Sequence, residues 1–139
     1  MFLLNTDVLS HFWTGNQRVV QRVFEAAAFK LGFTSITKVE VMRRRCENLL
    51  KAENSAEILK AQERLDVTEA RLASLMVVPF DSRAADKFDQ LHQVNCLKQI
   101  GRADLLIASI VMANDATLVT RNVRHFREVP GLRIVNWVD

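Results

Sequence analysis

Short apolar runs and longer stretches of helical periodicity alternate along the chain. Phe2-Leu3-Leu4 is too brief for a helix and ends at Asn5-Thr6-Asp7, which predicts a buried strand feeding a helix capped by Thr6 or Asp7. That helix covers residues 8–13 and breaks at Gly15-Asn16. Val19, Val20, Val23, Phe24 and Ala27 recur at helical spacing and predict a second helix over residues 18–29. Residues 31–34 predict a second strand. The next helix, over residues 38–51, takes Ser35 or Thr37 as its cap and carries a Thr37-x-x-Glu40 capping-box pattern. Val39, Met42, Cys46 and Leu49 form its apolar stripe. Glu40 falls about 100° from that stripe, at its rim.

Residues 55–75 predict a long amphipathic helix, in which Ile58, Leu59, Leu65, Leu72 and Leu75 lie among charges. Residues 76–80 predict a third strand, which Pro79 ends or confines to a sheet edge. Asp81 or Ser82 caps a helix reaching residue 95, and residues 98–102 read as a loop. Residues 103–113 are apolar on nearly every face, which predicts a helix buried on most sides. A strand over residues 116–120, a helical turn over 122–126, a Pro130-Gly131 turn and a last strand over 132–135 complete the chain. Four or five short strands alternating with helices place the fold in the α/β class. The expected architecture is an α/β/α sandwich around a central, mostly parallel sheet.

Composition narrows this picture. The 139 residues suit one domain spanning 1–139, with enough chain to bury a core without metal or disulfide staples. With 49% apolar and 25% charged residues, wholesale disorder is excluded. Only 4 Gly and 2 Pro are present, too few turn residues for a barrel or sandwich of many strands. No apolar run is long enough for a membrane helix, and the opening Met-Phe-Leu-Leu-Asn lacks the basic segment of a secretory leader. Cys46 and Cys96 read as free thiols of a reducing cytoplasm.

The formal charge of +3 is small, but it is unevenly placed. Lys38, Arg43, Arg44, Arg45 and Lys51 cluster against Glu40 and Glu47, and Arg121, Arg124, Arg127 and Arg133 against Glu128. Two separate basic runs raise the expectation of a polyanionic partner.

Parallel α/β sheets bind ligands beyond the carboxyl ends of their strands. Asn5, Asp7 and Asn122 lie at or near predicted strand ends, and Glu40 and Asp104 near helix starts. Carboxylates and amide oxygens are hard ligands suited to Mg²⁺ or Mn²⁺. If they converge beside arginines, the chemistry indicated is phosphodiester hydrolysis. Each also has a plainer role. Asp7, Asp104 and Asn122 serve equally as caps or turn residues, and Glu40 as a capping-box acid or a partner for Arg43 or Arg44. His11, His92 and His125 read as structural or exposed.

Four segments, taken in order, resemble PIN-domain proteins: Phe2-Leu-Leu-Asn-Thr-Asp-Val-Leu-Ser10, Ser35-Ile-Thr-Lys-Val-Glu40, Gly101-Arg-Ala-Asp-Leu-Leu-Ile-Ala108, and Ala116 to Phe126 with Val129 to Trp137. The sub-family they resemble is the VapC-type toxins of bacterial toxin–antitoxin pairs. The resemblance implies an Mg²⁺- or Mn²⁺-dependent endoribonuclease acting on structured RNA such as transfer or ribosomal RNA. It implies a homodimer and a cognate antitoxin. Carried over by position, Asn5, Glu40, Asp104 and Asn122 are the catalytic group, with Asn5, Glu40 and Asp104 on the metal. Asp7 and Thr120 are expected to support them. Arg43, Arg44, Arg102, Arg121 and Arg124 are the candidate RNA contacts.

One position departs from the pattern. The family carries an aspartate where this chain has Asn5, and an amide keeps one acceptor oxygen but loses the charge. Either the asparagine is an inactivating replacement, or it is natural and Asp7 compensates in part. A catalytically silent PIN-like domain that binds RNA or a partner is the alternative. A haloacid-dehalogenase-type phosphatase, whose first strand ends in Asp-x-Asp, is excluded because an amide cannot form the acyl-phosphate.

Overall fold

The computed structural model describes residues 1–26, 29–94 and 100–139. Among the described residues, five strands and seven helices follow in the order β1 (Phe2–Leu4), α1 (Thr6–Trp13), α2 (Gln17–Glu25), β2 (Leu31–Thr34), α3 (Ser35–Lys51), α4 (Ser55–Ala73), β3 (Met76–Val78), α5 (Ser82–His92), α6 (Arg102–Ala113), β4 (Thr117–Val119), α7 (Val123–Phe126) and β5 (Arg133–Val135). The strands form one sheet in the order β3-β2-β1-β4-β5, and every pairing is parallel. Each strand therefore needs a crossover, which the helices supply, and both sheet faces become covered.

Successive residues of a strand point to opposite faces, and the core divides accordingly. Leu4 and Val119 pack with Val8, Leu9, Val19, Val41 and Leu72 from α1 to α4. Their neighbours Leu3 and Leu118 pack on the other face with Ala84, Ile107, Ile110, Val111 and Phe126 from α5, α6 and α7. The result is the expected α/β/α sandwich, its central sheet wholly parallel. Helix α6 buries Leu105, Ile107, Ala108, Ser109, Ile110 and Val111, as its all-round apolarity predicts. Pro79 follows β3, which is an edge strand, so no ladder hydrogen bond is lost to it.

Several local expectations need correction. The cap of α1 is Asn5, through its backbone, while Thr6 and Asp7 lie inside the first turn. Helix α2 ends at Glu25, short of the expected residue 29, and Phe24 is 74% exposed. Helix α3 starts at Ser35 with Thr34 as its cap, so the Thr37–Glu40 capping box does not form. The predicted stripe on α3 is rotated: Val39 and Cys46 are exposed, and Thr37 and Val41 are buried. The shift follows from α3 packing on α4 as well as on the sheet, where Arg45 Nε donates to Thr68 Oγ1 at 3.0 Å. Helix α4 is capped by Asn54 and α5 by Asp81. Helix α5 ends at His92, short of the expected residue 95, and part of the 98–102 loop and Cys96 lie outside the described residues.

Candidate active site

Chain order reverses at the centre of the sheet. From β1 the chain builds outward through β2 and β3 on one side, and β4 and β5 add to the other. Crossovers on the two sides leave by opposite faces, which opens a crevice beyond the carboxyl ends of β1 and β4. Asn5 follows β1 directly and Thr120 follows β4 directly.

Asn5 continues the ladder by donating its backbone N–H to Val119 O at 2.9 Å, and its carbonyl accepts from Leu9 N at 3.0 Å. Its side chain takes no part in capping α1. The amide Nδ2 donates to Thr120 Oγ1 at 3.3 Å, and Oδ1 is buried without a hydrogen-bond partner among the described residues. Thr120 donates its one hydroxyl proton to Asp7 Oδ2 at 3.4 Å and accepts from Asn122 N at 3.1 Å. Asp7 also takes the Arg121 N–H at 3.0 Å and the Val8 N–H at 2.8 Å. Asp7 thus fastens the start of α1 to the loop after β4. Asn5 and Asn122 of the expected catalytic group and the expected supporting residues Asp7 and Thr120 thus form one hydrogen-bonded unit.

Glu40 and Asp104 approach from α3 and α6. Burial raises the Glu40 carboxyl above its usual range; nearby Asp104 and Asp7 push the same way, while the Thr6 hydroxyl and Arg44 oppose. Thr6 Oγ1 donates to Glu40 Oε1 at 3.3 Å. Burial likewise raises Asp104, aided by Asp7 and opposed by His125. Three acids from three elements therefore feel one another's charge in a partly desolvated crevice. His125 Nδ1 lies 3.5 Å from Asp104 Oδ2 and 3.2 Å from Asn122 Nδ2. A proton on Nδ1 is shared with the carboxylate, and a bare Nδ1 accepts from the amide.

Thr6, expected as a cap, and His125, expected as structural or exposed, are both neighbours of the site; His125 is exposed as expected, and its ring still reaches Asp104. The available signal was local: His125 stands three residues after Asn122 on a helical turn, a spacing that brings side chains together.

The arginines are less tightly gathered. Arg44 faces Glu40 electrostatically. Arg43 pairs with Glu47 at 2.9 Å and Arg121 with Asp139 at 3.2 Å, both on the surface. Arg102 opens α6 and lies over the Phe88 ring at 5.6 Å, and Arg124 is exposed.

Among the described residues, no three His, Cys, Asp or Glu side chains form a metal-holding group. The donors present still suit a hard cation: two carboxyls whose charge the fold disfavours, and a buried amide oxygen with nothing to accept from. They fit it with one anionic ligand fewer than an aspartate at position 5 would provide.

Comparison with known proteins shows the family. The family model that matches is the PIN domain, over residues 2–132. Ribonuclease VapC2 of Rickettsia felis is 36% identical over 80 residues, 55% of this chain and 56% of that protein, so the match spans little more than half of that relative. The tRNA(fMet)-specific endonuclease VapC of Salmonella typhimurium is 26% identical over 138 residues, 98% of this chain and 97% of that one. The crystal structure of VapBC2 from Rickettsia felis bound to a promoter DNA fragment superposes with a TM-score of 0.77 at 25% identity, covering 98% of both chains. The chain belongs to the PIN-domain family, and these relatives are VapC proteins.

Proposed function

We propose that the chain is a metal-dependent endoribonuclease of the VapC toxin type, built to act in the cytoplasm on structured RNA, transfer or ribosomal, restrained by a cognate antitoxin, and weakened or silenced as it stands by the asparagine at position 5. The observation that carries this reading is the crevice at the reversal of strand order, where Asn5 Oδ1 is orphaned and Asp7, joined to Asn5 through Thr120, lies close enough to raise both the Glu40 and the Asp104 carboxyl. Asn5, Glu40 and Asp104 would hold Mg²⁺ or Mn²⁺, which supplies a more acidic water and neutralises charge on the reacting phosphate. Thr6 orients the Glu40 carboxylate, and His125 with Asn122 orients Asp104. Asp7 and Thr120 hold the strand ends together, so the ligands stay in place while RNA is bound. Arg43, Arg44, Arg102, Arg121 and Arg124 would serve as phosphate contacts. The name of the Salmonella relative supports transfer RNA as the substrate class, and the structures of VapBC complexes support an antitoxin partner. We assign a homodimer on the same family grounds.

A second reading has its own support. Thr120 spends its only proton on Asp7 and accepts from Asn5 Nδ2, so the nitrogen of an amide at position 5 is satisfied where a carboxylate oxygen would meet no proton. That favours a catalytically silent PIN domain that binds RNA or a partner. Metal titration and RNA cleavage by this chain and by Asn5→Asp separate the two. We expect little or no Mg²⁺-dependent cleavage by the parent, restored cleavage in Asn5→Asp, and its abolition when Asp104→Ala is added. An Asn5→Asp protein that binds no metal and leaves every RNA intact overturns the nuclease assignment.

A further inference from the structure

A second charged feature lies away from the crevice, between α3 and α4. Two adjoining cavities of about 400 and 320 Å³ share Arg45, Lys60 and Arg64 in their walls. Lys51 extends the groove at one end and Arg71 at the other. Five cations thus face two carboxylates, Glu57 and Glu63, an excess equal to the net charge of the whole chain. Glu57 is partly engaged already, accepting the Glu53 N–H at 3.0 Å. Among the described residues, Lys51, Lys60 and Arg64 form no ion pair. Lys60 and Arg64 stand four apart on one helix face, where like charges repel.

Arg45 is built differently from a surface arginine. Its side chain is fixed through Nε to Thr68, which is 2% exposed, and its two terminal nitrogens have no hydrogen-bond partner among the described residues. A guanidinium anchored at Nε with both remaining nitrogens free is preorganised for a phosphate. The rest of the wall holds no aromatic side chain and only small apolar ones, Ala52, Ala61 and Val67. The nearby Trp13 ring lies under the Arg71 guanidinium at 5.8 Å, so the lining offers no free platform on which an unpaired base could stack, and no pocket for the apolar anchors of a protein segment. What remains is recognition of a charged backbone by shape and phosphate contacts, the mode used for double-stranded RNA.

We propose that the α3–α4 groove binds the phosphodiester backbone of a base-paired RNA stem, apart from the site of cleavage. The identity of the polyanion as RNA rests on the ribonuclease reading above. Arg45 lies five residues beyond Glu40 on α3, about 7–8 Å along the axis and about 140° round it. Only a substrate large enough to turn past α3 engages both places. The groove would then add affinity for folded RNA while leaving short fragments unaffected.

The test is RNA binding by fluorescence anisotropy in chelator, where no cleavage occurs, with a labelled hairpin and a single strand of equal length. The Lys60→Glu/Arg64→Glu protein is compared with a charge-matched control, Lys30→Glu/Lys87→Glu. We expect the groove variant to lose about tenfold or more in hairpin affinity and its log–log salt slope to fall by about 2, with the control far closer to the parent. Single-strand binding should be weaker and barely altered. Equal losses in both variants, or equal sensitivity of the single strand, overturn the proposal. Loss of binding to an acidic protein partner with hairpin binding intact overturns it too. Because the measurement is independent of metal, an inert Asn5→Asp protein would sink the nuclease reading and leave this result standing.

Discussion

At the scale of single residues, the site is a problem in charge and protons. Glu40 and Asp104 are held above the ordinary carboxyl range, chiefly by burial. Between the unfolded and folded pKa, the native state binds more protons than the unfolded chain. The stabilising contribution is therefore complete below the unfolded value and is lost as pH rises through the folded one. Near neutral pH both carboxylates strain the metal-free protein. Glu40→Gln removes one of them, and in chelator it should unfold at a modestly higher temperature than the parent at neutral pH. That advantage should fade toward about pH 4, where the parent carboxyl is itself protonated. Equal midpoints at neutral pH would show that Glu40 bears no such cost. Position 5 follows the same logic: a carboxylate there would face an oxygen of Thr120 whose proton already sits on Asp7. A functional acid at this point costs stability that a bound cation offsets.

At the scale of elements, the positions of the site residues depend on strands of only three or four residues. Such strands tolerate little disturbance. Gly32 in β2 pairs with Met76 in β3, and a Cβ on Gly32 would collide with the Met76 carbonyl. The obstacle is backbone, which cannot swing aside as a side chain does. Gly32→Ala should destabilise the fold by about 1–3 kcal/mol or more, read from urea unfolding. An unchanged midpoint would show that β3 can move freely at the edge. Helix α3 illustrates the same dependence from the other side. Its Thr34 cap is the last residue of β2, so strand and helix meet without a loop, and Glu40 is placed within two turns of the sheet.

At the scale of the molecule, the carboxyl terminus closes the core beneath the strand that bears the site. Trp137 is 7% exposed, belongs to the same cluster as Leu4, Val8 and Val119, and stacks obliquely on Phe2 with centroids 5.2 Å apart. Arg121 in the site loop reaches Asp139. The last residues therefore brace both β1 and the loop after β4. Trp137→Ala should cost about 3–5 kcal/mol, measured by denaturant unfolding at equilibrium. A loss below about 1 kcal/mol would mean that the terminus merely rests on the surface.

Much of this was legible in the chain. The apolar runs at residues 2–4 and 31–34 are the strands they appear to be, because a short run bounded by polar residues has no other way to hide. The uniform apolarity of α6 announced its burial for the same reason. Asn5, Glu40, Asp104 and Asn122 were named by motif, and Asp7 and Thr120 beside them. Periodicity failed on α3, where Val39 is 60% exposed, because the buried side of a helix is chosen by what packs against it. No local pattern contains the packing of α4. The proton arrangement among Asn5, Thr120 and Asp7 joins residues 113 and 115 apart in sequence, and the approach of His125 to Asp104 depends on how α7 meets α6. The α3–α4 groove has the same origin: each helix alone shows ordinary solvated charges, and only their packing brings five cations together. Hydrophobic periodicity acts over a few residues and so writes the elements into the chain. Hydrogen bonds and charges act between elements, and their partners exist only once the sheet has ordered them in space.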